Sequence, residues 1–201
     1  ITTYKFFRNR IVRLSLFFFL HLVALVILLI VNPHARADDG WTIDQKSKEY
    51  IYLSKNGEFL YGDKLVFSMS YKDCNTIHQL FTVLTTKNIN DISHLKNKRI
   101  PISLNNNELS AELIYIQPIL DDRAYWIVFE LGTYETKKYV KLLKGFLEEN
   151  EAYEISLSNG LNFEVKKYFD ITKNKWILDN FSEKFDETYK RCVEKTTHKE
   201  S

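Results

Sequence analysis

Between Leu65 and Tyr71 the chain alternates strictly, with Leu65, Phe67, Met69 and Tyr71 set against Val66, Ser68 and Ser70. That two-residue period requires a strand with one buried face. The same texture surrounds it. Tyr50 and Tyr52 on one side and Phe59 and Tyr61 on the other flank Lys55-Asn56-Gly57, where Asn-Gly predicts a type I′ hairpin turn. Ile77 to Thr86, Ile100 to Leu104 and Leu109 to Gln117 are further β-branched and aromatic runs, the last two placed about Asn105-Asn106-Asn107. Ala124 to Leu131 is apolar at nearly every position and predicts a central strand covered on both faces. Pro118 cannot donate a ladder bond, so its strand ends there or lies at an edge, and Pro118 to Arg123 reads as a bend. Ala152 to Leu157 and Leu161 to Tyr168 predict a hairpin about Ser158-Asn159-Gly160, extended by Lys175 to Leu178.

Two stretches change period. Thr133 is the expected N-cap of a helix over residues 134–148, with Glu135 in its first turn and Tyr139, Val140, Leu143, Phe146 and Leu147 on one face. Asn180, with Glu183 three residues on, starts a second helix whose apolar face is Phe181, Phe185, Tyr189 and Cys192. Lys87 to Lys98 is polar and fits a loop or one helical turn. About nine short strands and two helices make a β-dominated α+β domain, an antiparallel β-sandwich or open barrel.

The first 37 residues differ in kind. Lys5, Arg8, Arg10 and Arg13 precede an apolar run from Leu14 to Val31, and Ala35-Arg36-Ala37 follows. The pattern is that of a signal peptide cleaved between Ala37 and Asp38. An uncleaved single anchor is the alternative, because the run reaches the lower end of the roughly 17–25 residues that cross a bilayer. Either outcome places the domain outside the cytosol, periplasmic or secreted in the first case and inner-membrane anchored in the second. The predicted organisation is a leader over 1–37, one β-rich domain over 38–192 and a charged tail over 193–201. Five of the 28 basic residues lie in the leader, leaving 23 against 26 acidic ones. A mature domain near −3 is not a non-specific nucleic-acid binder.

Cys74 and Cys192 are the two cysteines. In an exported chain they predict one disulfide, linking the C-terminal helix to the sheet; two independent thiols are the alternative. Closing a loop of more than a hundred residues removes on the order of 4–5 kcal/mol of unfolded-state entropy in the chain-entropy model.

Chemistry is harder to find. His34, His78, His94 and His198 show no paired metal-ligand spacing, and no C-x-x-C occurs. Asp121-Asp122-Arg123 could bind a cation or act on a substrate, but a solvated turn accounts for the same residues, as an exposed helix end does for Glu148, Glu149 and Glu151. G-x-S-x-G and phosphate-loop motifs are missing. Lys137, Lys138, Lys141 and Lys144 form a basic stripe that could meet anionic lipid or an acidic partner, or simply face water. Tyr50, Tyr52, Tyr61, Tyr71, Tyr115, Tyr125, Tyr134 and Tyr139 sit in or beside strands and suit either a core or a protein interface.

Trp176-Ile177-Leu178-Asp179-Asn180-Phe181, followed by Phe185 and Cys192, resembles the closing strand and helix of the invasion-associated locus B family of small exported alphaproteobacterial proteins. A mature start near Trp41 and a mid-chain Cys74 fit the same pattern, and Asn180 departs from it by standing where the family has Gly. The resemblance implies a β-rich fold in the periplasm or outer envelope without enzymatic activity. It transfers no site residue. The expected function is therefore a non-enzymatic envelope or host-interaction protein acting through protein contacts, with no cofactor and no metal. A membrane-anchored accessory subunit of an envelope complex is the first alternative. An exported hydrolase is the second, and a concave pocket lined by His78, Asp121 or Asp122 would favour it.

Overall fold

A computed structural model describes residues 40–58, 63–121, 123–150 and 152–197, without the side chains of Ile89 and Asp91. The leader with Ala37 and Asp38, and Phe59, Tyr61, Asp122, Glu151 and His198, lie outside them.

Gly40 to Ser201 belong to one compact unit. Its strands are β1 (Trp41–Asp44), β2 (Tyr50–Asn56), β3 (Lys64–Ser70), β4 (Asp73–Thr85), β5 (Arg99–Leu104), β6 (Asn107–Ile119), β7 (Ala124–Glu135), β8 (Ala152–Leu157) and β9 (Lys173–Ile177). Two long helices, α2 (Thr136–Glu149) and α4 (Phe181–Thr197), accompany two single turns, α1 (Ile89–Ile92) and α3 (Val165–Tyr168). The strands form one antiparallel sheet in the order β1-β2-β3-β4-β7-β6-β5-β8-β9. It is not a sandwich of two sheets but one sheet that curls into a half-barrel, the open-barrel form of the expected fold.

The curl is closed at a seam where the loop before β3 meets β9. The Glu58 amide donates to the Lys175 carbonyl at 2.9 Å. The buried carboxylate of Asp63 accepts from Asn174 Nδ2 at 3.0 Å and from the Leu84 amide at 2.7 Å. Alternate residues of each strand fill the concave side, among them Leu65, Phe67 and Met69, then Ile77, Phe81 and Val83, and Ile127 and Phe129. The Phe81 and Phe129 rings stack at 4.8 Å.

Helix α4 lies against this core through Phe181, 5.1 Å from the Phe67 ring and 5.4 Å from Trp41. Cys74 and Cys192 are disulfide-bonded, with Cα atoms 6.0 Å apart. One turn on, the Thr196 hydroxyl donates to the Tyr71 carbonyl at 2.7 Å, so the helix is fixed by a covalent bond and a hydrogen bond at the same place.

Several local expectations are corrected. Asn56-Gly57 is not a two-residue turn, because β2 and β3 pair as far as Asn56↔Lys64 and the connection is longer. The I′ geometry instead occurs at Asn105 and Asn106, with φ of 44° and 68°, as the turn between β5 and β6. Central β7 is covered on one face only, since Trp126, Val128 and Glu130 are half-buried. Residues 161–168 make no strand; the Asn159 side chain accepts from the Val165 amide at 2.9 Å and starts α3 instead. Thr133 is not a cap. Strand β7 continues through Glu135, and the Thr133 hydroxyl is taken by His78 and Glu130 at 2.9 Å each. Asn180 has φ 55°, the left-handed region that asparagine shares with glycine.

Candidate functional site

A concavity arises because two neighbouring strands part. Strands β6 and β7 pair from Glu112↔Glu130 to Ile119↔Ala124. Upstream of Glu112, β6 remains paired with β5 down to Asn107. Downstream of Glu130, β7 remains paired with β4 up to Glu135. Among the described residues no ladder joins 107–111 to 131–135. A bulge at Gln79/Leu80 and another at Leu113/Tyr115 accompany the divergence, as bulges do where a strand bends.

A cleft of about 640 Å³ occupies this fork, a size within the usual range of ligand sites. Its apolar wall is Leu104, Leu109, Leu131, Leu142, Leu143 and Phe146. Leu109 and Leu142 are 50% and 67% exposed. The floor is polar and internally satisfied. The Tyr139 hydroxyl donates to Gln79 Oε1, and Gln79 Nε2 donates to the Tyr153 hydroxyl at 2.8 Å. Burial raises the pKa of Tyr139 far above its ordinary value and that of Tyr153 to about 12, so both remain neutral phenols at physiological pH. Tyr134 stacks on Tyr139 at 4.2 Å with nearly parallel rings and folds back along its own strand. A Cβ on Gly132 would lie 2.4 Å from the Tyr134 hydroxyl oxygen, so glycine is needed for that approach. At the rim, Arg99 donates through Nε to the Ser110 hydroxyl at 2.8 Å and through Nη2 to the Ser110 carbonyl at 2.9 Å. Glu108 supplies the opposite charge.

The residues singled out for catalysis do not gather here. His78 is bound to Glu130 at 3.0 Å, Asp121 is exposed in the β6–β7 turn, and neither lines the cleft. His94 packs edge-on against Tyr168 at 5.7 Å. Among the described residues no group of His, Cys, Asp and Glu could hold a metal ion, and no helix is long and apolar enough to cross a membrane. Of the basic stripe, Lys138 pairs with Glu135 at 2.5 Å and Lys144 with Asp186 at 3.6 Å. Lys137 and Lys141 border a smaller groove of about 400 Å³ over Val140, Phe185 and Tyr189. Of the tyrosines, Tyr71, Tyr125 and Tyr139 are buried, whereas Tyr115 and Tyr134 are exposed. Gln79, Arg99, Leu109 and Leu142 carried no signal in the sequence, because only strand register brings them together.

No family model, curated protein or solved structure matches the chain.

Proposed function

We propose that this protein is an exported, non-enzymatic binding protein of the bacterial envelope or of the host interface, which holds a protein partner in the β6–β7 cleft. The composition of the rim carries the reading. Tyr134, Arg99 and two exposed leucines surround a concave apolar wall, and tyrosine and arginine beside a desolvated pocket are the residues in which binding energy concentrates. Among the described residues the lining offers hydroxyls and an amide already bonded to one another, Glu108 as its one acid, and no histidine, cysteine or aspartate, a set better suited to holding than to transforming. The leader and the Cys74–Cys192 bond support an oxidising compartment outside the cytosol, where the resemblance to the invasion-associated locus B family also points.

The test is photo-crosslinking in cells, with the reactive residue at Leu109 or Leu142 and, as a control, at Lys190 on α4. Discrete protein adducts in the envelope fraction are expected from the two cleft positions. Equal labelling at Lys190, or recovery of the folded chain from the cytosol, would sink the reading.

A further inference from the structure

We infer that the fork between β6 and β7 is a strand-addition site, which takes an extended peptide with apolar side chains at alternate positions and a carboxylate at its Arg99 end. This rests on the protein-binding reading above and specifies its mode.

Two strand edges face each other across the cleft, each paired on its far side only. Unpaired edges are templates for another strand, and main-chain bonds to such an edge are an established way to hold a peptide. On the β6 side, Ser110 lies opposite Pro101, whose carbonyl accepts from the Ser158 amide at 2.9 Å and so faces away from β6. In such a non-hydrogen-bonded pair Ser110 also turns its backbone groups outward, and its carbonyl takes the Arg99 guanidinium. On the β7 side, the Leu131 carbonyl takes the Tyr134 hydroxyl at 3.4 Å. Both edges are thus occupied by side chains that can swing away.

Such caps also guard an edge against aggregation, but a guard alone does not explain the space behind it. A strand entering the fork would turn every second side chain toward Leu104, Leu143 and Phe146 and the others toward solvent. Leu109 and Leu142, now half or more exposed, would be covered. Charge sets the direction. Ser110, where Arg99 is anchored, and Glu108 are two residues apart on β6, roughly 7 Å at strand rise, so an acidic residue of the peptide and a basic one two positions away would each meet its complement. The floor tyrosines are neutral and add no competing charge. Because the peptide would lie between two edges, its amides on both sides would be bonded.

The experiment selects binders from a random 12-residue peptide display library on the full, disulfide-bonded chain. The strongest binder is then synthesised unmodified and with N-methyl groups on either alternate set of backbone amides. The expected consensus alternates apolar residues and includes an acid. Methylating either set should weaken binding at least about tenfold, the effect of losing one or two hydrogen bonds. Ser110→Pro, at an edge position that tolerates proline, should weaken it similarly without a change in melting temperature. If that variant fails to fold, Arg99→Glu takes its place. It should lose the peptide and regain it when the acid of the peptide is exchanged for lysine. Failure to select any peptide would overturn the inference. So would a peptide that competes with crosslinking at Leu142 yet binds equally well when methylated, and that result would leave the protein-binding reading standing. Loss of the reading itself would show separately, as the absence of cleft-specific adducts in cells.

Discussion

Asp63 offers the sharpest quantitative test of the fold, because it places a carboxylate at the seam that closes the sheet. It is 1% exposed, and burial raises its pKa from 3.8 to about 6, against the opposing pull of its bonds from Asn174 and Leu84. The folded state therefore binds this proton more tightly than the unfolded chain. The stabilisation is fully present below pH 3.8 and is lost as pH rises through about 6. A shift of about two pKa units corresponds to ~3 kcal/mol over the whole range, of which about 2 kcal/mol falls between pH 7 and 4.5. Asp63→Asn keeps the shape and removes the titration. The amide also leaves either the Leu84 amide or Asn174 Nδ2 without an acceptor, a pH-independent offset of about 1–2 kcal/mol, so the slope decides and the offset does not. Urea unfolding of both proteins at half-unit steps from pH 4.5 to 7.5 should show wild type gaining stability on acidification relative to the variant. Parallel profiles would refute the reasoning, as they would mean that Asp63 is hydrated or paired in the native state.

Three further outcomes are expected. Replacing both cysteines by serine opens a loop spanning 118 residues and should cost about 5 kcal/mol in the chain-entropy model, read as a lower midpoint in denaturant; an unchanged midpoint would contradict a structural disulfide. Gly57→Ala would put a Cβ 2.3–2.4 Å from the Asn174 side-chain amide, displacing it from Asp63 at a cost of about 1–3 kcal/mol, measured by thermal unfolding at pH 7. Leu142→Glu, at a position 67% exposed, should change stability by no more than about 0.5 kcal/mol while removing cleft crosslinks in cells. A large stability loss there would mean that the leucine is a core residue.

The strands and helices were legible wherever burial imposes a period. Leu65 to Tyr71 could be read because one face of β3 is fully buried, and the face of Phe181, Phe185 and Cys192 because α4 presses it onto the core. The disulfide followed from counting two cysteines in a chain whose leader predicts export. Residues 161–168 differ from the expected strand because Val165 to Tyr168 pack as a helical turn, and a short apolar run has no period long enough to separate the two states. Thr133 was misread because a hydroxyl ahead of a helical pattern is equally at home bonding a neighbouring strand, here through His78 and Glu130.

The site was illegible for a deeper reason. Apolar runs in β6 and β7 mark two strands, but no residue in either states how far they stay together. That extent is set by register, and register here depends on bulges in β7 and β6, each a one-residue slip that changes which side chains face the core. Pairing stops above Glu112↔Glu130, and beyond that point the sequence continues to look like sheet on both sides. Arg99, Ser110 and Tyr134 look like ordinary surface residues in the chain and become a matched pair of edge caps only across the fork. A binding site made from missing backbone pairs leaves no motif, because its essential groups are the amides and carbonyls that every residue carries. For a chain of this kind the informative quantity is the difference between strand length and ladder length, and in β6 and β7 that difference falls where the cleft, the stacked Tyr134 and Tyr139 rings and Arg99 coincide.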